Sequence, residues 1–165
     1  MNDFEMLYRH HARDVYRFAL YLCGNHADAE DITSETFVCA WNAGETIRAA
    51  TAKAYLFTIA RNNYLQRLRR VVRQSPLEES LPDPGEGPQE SAEARAELRR
   101  VLRALQQMPE LDRTVLLLRV LEAHSYEEIA LVVRLSAAAV KVRVHRARIK
   151  LAELRAGKSN QEVTK

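Results

Sequence analysis

The chain has 165 residues, with 25 Lys and Arg against 22 Asp and Glu, for a formal charge of +3. That length suits one ordinary domain or two small ones. No apolar run approaches the roughly 20 residues that span a bilayer, so membrane insertion is not expected. Residues 1–13 are polar and charged, unlike a secretory leader. Cys23 and Cys39 lack zinc-ligand spacing and fall in apolar helical patterns, which predicts two buried thiols in a reducing, cytoplasmic protein.

Phe4, Leu7, Tyr8, His11, Val15, Phe18, Ala19 and Leu22 recur at three- and four-residue steps, the face of a first helix. His11 should point inward and His10 outward. Gly24 and Asn25 end this helix. A second helix is predicted over 27–41, with Ile32, Thr36, Phe37, Ala40 and Trp41 on its apolar face. Its carboxylates, Asp28, Glu30, Asp31 and Glu35, should fan around the helix without forming a metal cage, and they suit a protein-docking surface. After a loop over 42–50, a third helix is predicted over 51–72, with Leu56, Ile59, Ala60, Asn63 and Leu68 inward.

Residues 74–92 hold four of the five prolines, two glycines and several carboxylates, the composition of a flexible acidic linker. Helical patterns resume beyond it. Leu98, Val101, Leu102 and Leu105 form a stripe that stops at Met108-Pro109, and a Leu- and Val-rich helix follows over 111–121. Ser125-Tyr-Glu-Glu128 reads as a capping box opening a short helix. Arg134-Leu-Ser136 reads as a turn, and Ser136 can cap a last helix over 137–154. The chain is therefore expected to be all-α, with two small helical domains, 1–73 and 93–155, and a tail over 156–165.

Charge is distributed in blocks. Arg61, Arg67, Arg69, Arg70 and Arg73 form one basic run. Lys141, Arg143, Arg146, Arg148 and Lys150 form another, with no carboxylate between Glu128 and Glu153. Two basic blocks suit two contacts with a polyanion. A short helix, a tight turn and a cation-loaded helix make a helix-turn-helix, whose second helix enters the major groove. If Val140, Val144, Ala147 and Leu151 pack inward, Ala138, Lys141, Val142, His145 and Arg146 face DNA. Arg61, Asn62, Asn63 and Tyr64 mix cation, amide and aromatic groups, which suits melted DNA or, equally, a solvated face. No catalytic set, phosphate loop, cofactor site or metal site stands out, so neither enzyme chemistry nor a cofactor is expected.

Three segments in order resemble the sigma-70 family of polymerase sigma factors. Asp28-Ala-Glu-Asp31-Ile-Thr-Ser-Glu35-Thr-Phe37 through Trp41 resembles the polymerase-binding helix. Tyr55-Leu-Phe-Thr-Ile-Ala-Arg61-Asn62 resembles the promoter-melting helix. Leu111–Arg119, Ser125–Ala130 and Val140–Ala147 resemble the C-terminal helix-turn-helix. With only these two domains, the chain resembles the extracytoplasmic-function (ECF) subgroup. The resemblance implies a non-enzymatic initiation factor whose partners are core RNA polymerase and promoter DNA, in a family whose members are often held inactive by an anti-sigma factor.

On that resemblance, Asp28, Asp31, Ser34, Glu35, Phe37 and Trp41 would grip the clamp helices of the largest polymerase subunit. Lys53, Tyr55, Arg61, Asn62, Asn63 and Arg67 would lie at the minus-10 element. Tyr126, Glu127, Ser136, Ala137, Ala138, Lys141, Val142, His145 and Arg146 would read the minus-35 element as duplex. Three positions depart from the family pattern: Ser34 stands where Gln is usual, Tyr55 where Trp is common, and Arg134 where the turn often has Gly. A repressor sharing only the helix-turn-helix, or a purely protein-binding adaptor, would each leave one half of the chain unexplained.

Overall fold

A computed structural model describes residues 3–44, 52–73 and 91–157. The expected linker up to residue 90, most of the 42–50 loop and the tail beyond 157 lie outside the described residues. Among those described there are seven α-helices and no strand: α1 Asp3–Cys23, α2 His26–Ala43, α3 Ala52–Arg73, α4 Ala92–Gln106, α5 Glu110–Val120, α6 Tyr126–Val133 and α7 Ala137–Arg155. The all-α expectation holds. α4 starts inside the segment assigned to the linker, because the Ser91 hydroxyl caps it by accepting from the Ala94 N–H.

Local chemistry sets the ends. Gly24 adopts φ +85°, which L side chains rarely reach, and its N–H closes the last turn of α1 on the Leu20 carbonyl. Asn25 then caps α2, accepting from the Asp28 N–H at 2.8 Å while its amide donates to the Asp28 carboxylate at 2.7 Å. Ser125 and Glu128 form the expected capping box on α6, and Ser136 caps α7.

α1, α2 and α3 pack on one another, with α2 and α3 antiparallel, so that Asp28 meets Arg67 and Thr36 meets Asn63. α5, α6 and α7 pack likewise, with α4 against α5 and α7. The two groups also pack together, α1 against α4 and α5, and α3 against α6. One continuous core results, running from Val15, Phe18, Ile32 and Phe57 to Leu105, Leu118, Ile129 and Val140. Each large apolar side chain buried there is worth roughly 1.5–3 kcal/mol.

Three expectations about burial are corrected. Trp41 is 56 % exposed on the outer edge of α2, where its ring meets Phe4 edge-on at 4.8 Å. Leu68 is exposed because α3 overshoots: Arg67 already faces Asp28, and α2 begins at His26. Cys39 is exposed on the outer side of α2, whereas Cys23 is partly buried and its thiol is pushed up to about 11 by burial. His10 is exposed and His11 partly buried, as expected.

Candidate nucleic-acid interface

The C-terminal basic helix is presented as the spacing predicts. Val140, Val144 and Ala147 are buried and Leu151 is half-buried, which fixes the rotation of α7. Ala138, Lys141, Val142, His145 and Arg146 are all exposed on the far side. Arg148 and Ile149 extend that exposed surface, a continuation the sequence reading left out. Arg143 is turned aside and bonded to Asp112 at 2.8 Å, so this cation ties α7 to α5. Ala137 is half-buried, and the Ser136 hydroxyl is engaged in accepting from the Ala139 N–H at 3.1 Å. Glu127 is exposed, while Tyr126 is half-buried beneath the Arg119 guanidinium, 4.3 Å from its ring centre.

The turn between α6 and α7 relies on Arg134, whose φ of 59° and ψ of 45° place it in the left-handed region. Its N–H closes α6 on the Ala130 carbonyl. A non-glycine residue there costs roughly 1–2 kcal/mol.

On α3, Asn62 and Lys53 are exposed and Tyr55 is half-buried. Asn63 is half-buried and donates to the Thr36 hydroxyl at 3.5 Å, so it ties α3 to α2. Arg61 does not point freely outward. It donates through Nε and Nη2 to the two carboxylate oxygens of Glu110 on α5, at 2.7 and 3.1 Å. Burial pushes the Glu110 carboxyl up, but hydrogen bonds from Arg61 and Thr114 outweigh it and hold the group below its ordinary value. Neither Glu110 nor this pairing was singled out from sequence, because 49 residues separate the partners.

Arg67 also departs from expectation. It lies with the acidic helix, 3.6 Å from Asp28, 3.5 Å from Asp31 and 2.8 Å from Glu35. Rather than fanning out, these three carboxylates follow an i, i+3, i+7 stripe and converge on one guanidinium. That spacing was a usable signal for a shared face. Ser34, Val38 and Trp41 are exposed on the same helix. Phe37 is 3 % exposed and offers no contact surface; its ring meets those of Tyr8 at 4.9 Å and Phe4 at 6.4 Å. Among the described residues, no cluster of His, Cys, Asp or Glu could hold a metal ion, and no helix is long and apolar enough to cross a membrane.

Comparison with known proteins decides the family. Residues 7–74 match Sigma-70 region 2, and residues 98–151 match Sigma-70, region 4. The ECF RNA polymerase sigma factor SigL of Mycobacterium tuberculosis is 36 % identical over 84 % of this chain and 81 % of its own length. The chain belongs to the sigma-70 family, ECF group. SigE of Mycolicibacterium smegmatis, another ECF sigma factor, is 33 % identical over 98 % of this chain, which spans 65 % of that protein. The sigma factor RpoE of Bartonella quintana, solved in complex with the anti-sigma factor NepR, superposes with a TM-score of 0.79 at 26 % identity over the whole of both chains. This sigma factor is a transcription initiation factor that directs RNA polymerase to promoters. Region 2 coincides with α1–α3, and region 4 with most of α4–α7.

Proposed function

We propose that this sigma factor recognises two-part promoters with one half of the chain on each element, acting by binding alone while polymerase supplies the chemistry. The observation that carries this reading is the exposed face of α7, where Lys141, Val142, His145 and Arg146 stand clear of the core behind a capped turn. That face is assigned to the minus-35 duplex, with Ala138 at its start and Glu127 and Tyr126 at its flank. Lys and Arg donate to phosphates and guanine edges, while Ala138 and Val142 suit thymine methyl groups.

α3 is assigned to the minus-10 element through Lys53, Asn62 and Arg61, with Tyr55 and Asn63 supporting them. The α2 face, bearing Asp28, Asp31, Ser34, Glu35 and Trp41, is assigned to the polymerase clamp helices. There Arg67 orders the carboxylates, and Phe37 seats the aromatic residues from beneath. An anti-sigma factor belongs among the partners by analogy with the Bartonella complex, and the working compartment is the cytoplasm.

The test replaces Lys141 and Arg146 together with Ala. Each good base contact carries about 1–3 kcal/mol, so transcription from a minus-35-dependent promoter should fall at least tenfold while co-elution with core polymerase persists. Undiminished transcription would sink the assignment of the recognition face.

A further inference from the structure

α7 carries Lys141, Arg143, Arg146, Arg148 and Lys150, and no carboxylate lies on the chain between Glu128 and Glu153. Over that length the helix has nothing of its own to neutralise these cations. One of them is neutralised from another helix. Arg143 Nη1 donates to Asp112 Oδ1 at 2.8 Å, the separation of a charge-assisted hydrogen bond. Asp112 lies in the first turn of α5, where the helix dipole favours a carboxylate.

This pair is not what places α7. Val140, Val144 and Ala147 are buried beneath the helix, and Ser136 caps its start. The Arg143 and Asp112 side chains are 40 % and 25 % exposed, and ion pairs open to water add little to stability. What the pair changes is the charge that α7 presents. Arg143, Arg146 and Lys150 follow an i, i+3, i+7 spacing, so they share one flank of the helix. Arg146 is exposed on the assigned DNA face, whereas Arg143, one turn earlier, is held toward α5. A guanidinium released from Asp112 stands one helical turn from Arg146, beside the same stretch of phosphate backbone.

We propose that Asp112 withholds Arg143 from DNA and thereby sets how strongly, and how salt-dependently, α7 holds its duplex. The inference rests on the assignment of α7 to the minus-35 element and adds a residue of α5 to that site. Each phosphate contact steepens the fall of log K with log[salt] by about 0.9. Phosphate contacts fix position but carry no sequence information. With Arg143 masked, a larger share of the grip comes from Ala138, Lys141, Val142, His145 and Arg146, the side chains turned toward the bases.

The test reconstitutes the full chain with sigma-free core polymerase. Its probe is a promoter duplex selected by the wild-type complex from a random-sequence library. Equilibrium binding is followed between about 50 and 200 mM salt, and thermal unfolding checks that each variant folds. Asp112→Ala should steepen the salt slope by about 0.9, so that affinity falls about threefold further over this range. Asp112→Glu should keep the wild-type slope. Arg143→Ala alone should keep it too, because that guanidinium has no DNA contact to lose. Combining Arg143→Ala with Asp112→Ala should abolish the gain. A purely structural tie would move the melting temperature and leave the slope alone. An unchanged slope in Asp112→Ala, a shallower one in Arg143→Ala, or a gain that survives the double substitution would each overturn the masking role. The double variant Lys141→Ala, Arg146→Ala separates this from the underlying assignment. A shallower slope there keeps α7 on DNA whatever Asp112 does, whereas an unchanged slope removes α7 from DNA and the masking role with it.

Discussion

His124 is the residue on which pH acts most directly. It is 1 % exposed, its ring meets Phe57 edge-on at 4.9 Å across the boundary between the halves, and neither ring nitrogen has a hydrogen-bond partner among the described residues. Burial lowers its pKa from 6.5; Lys53 adds to this, and Glu128 and Asp14 oppose it without prevailing. A lowered histidine favours the neutral form in the folded state. Its contribution is complete well above 6.5 and is lost as pH falls below that value. Glu122 acts in the opposite direction, since burial raises its pKa despite the Arg17 hydrogen bond. His11 is lowered by burial and by Lys53 and His10, and adds to the histidine effect. The melting temperature should therefore drop between pH 7.5 and 5.5, and His124→Leu should flatten most of that drop. An equally steep decline in the variant would remove His124 as its cause. Nothing local in the sequence marked this histidine, because its environment is built by a helix more than 50 residues away.

At the scale of elements, the sequence was most informative where the chemistry is local. The capping box at Ser125 and Glu128, the Ser136 cap and the inward stripe of α7 all depend on neighbours within four residues, and all stand where the spacing put them. The reading weakened where a side chain's surroundings depend on distant helices. Leu68 fits the inward stripe of α3 but extends past the start of α2, and Arg67 fits a basic run but is drawn to carboxylates of another helix. The turn of the helix-turn-helix carries a measurable cost. Arg134 is exposed and left-handed, so Arg134→Gly should raise stability by about 1 kcal/mol. For a chain of this size, that is a rise of ~2–4 °C in melting temperature. A fall in melting temperature would show that the arginine side chain contributes more than the strain costs.

At the scale of the whole molecule, two halves that each resemble a known sigma region share one core and a polar boundary. The two-part organisation was legible from the linker composition and the ordered motifs. The closed arrangement was not, because Arg17–Glu122, Arg61–Glu110 and Arg113–Leu22 join residues 49 to 105 positions apart. No periodicity encodes such pairs. The most direct measurement adds the purified chain to sigma-free core polymerase with a library of promoter fragments and sequences the transcript starts. Discrete starts sharing a two-part upstream motif are the predicted result. Binding to duplex DNA without any polymerase-dependent starts would contradict the account.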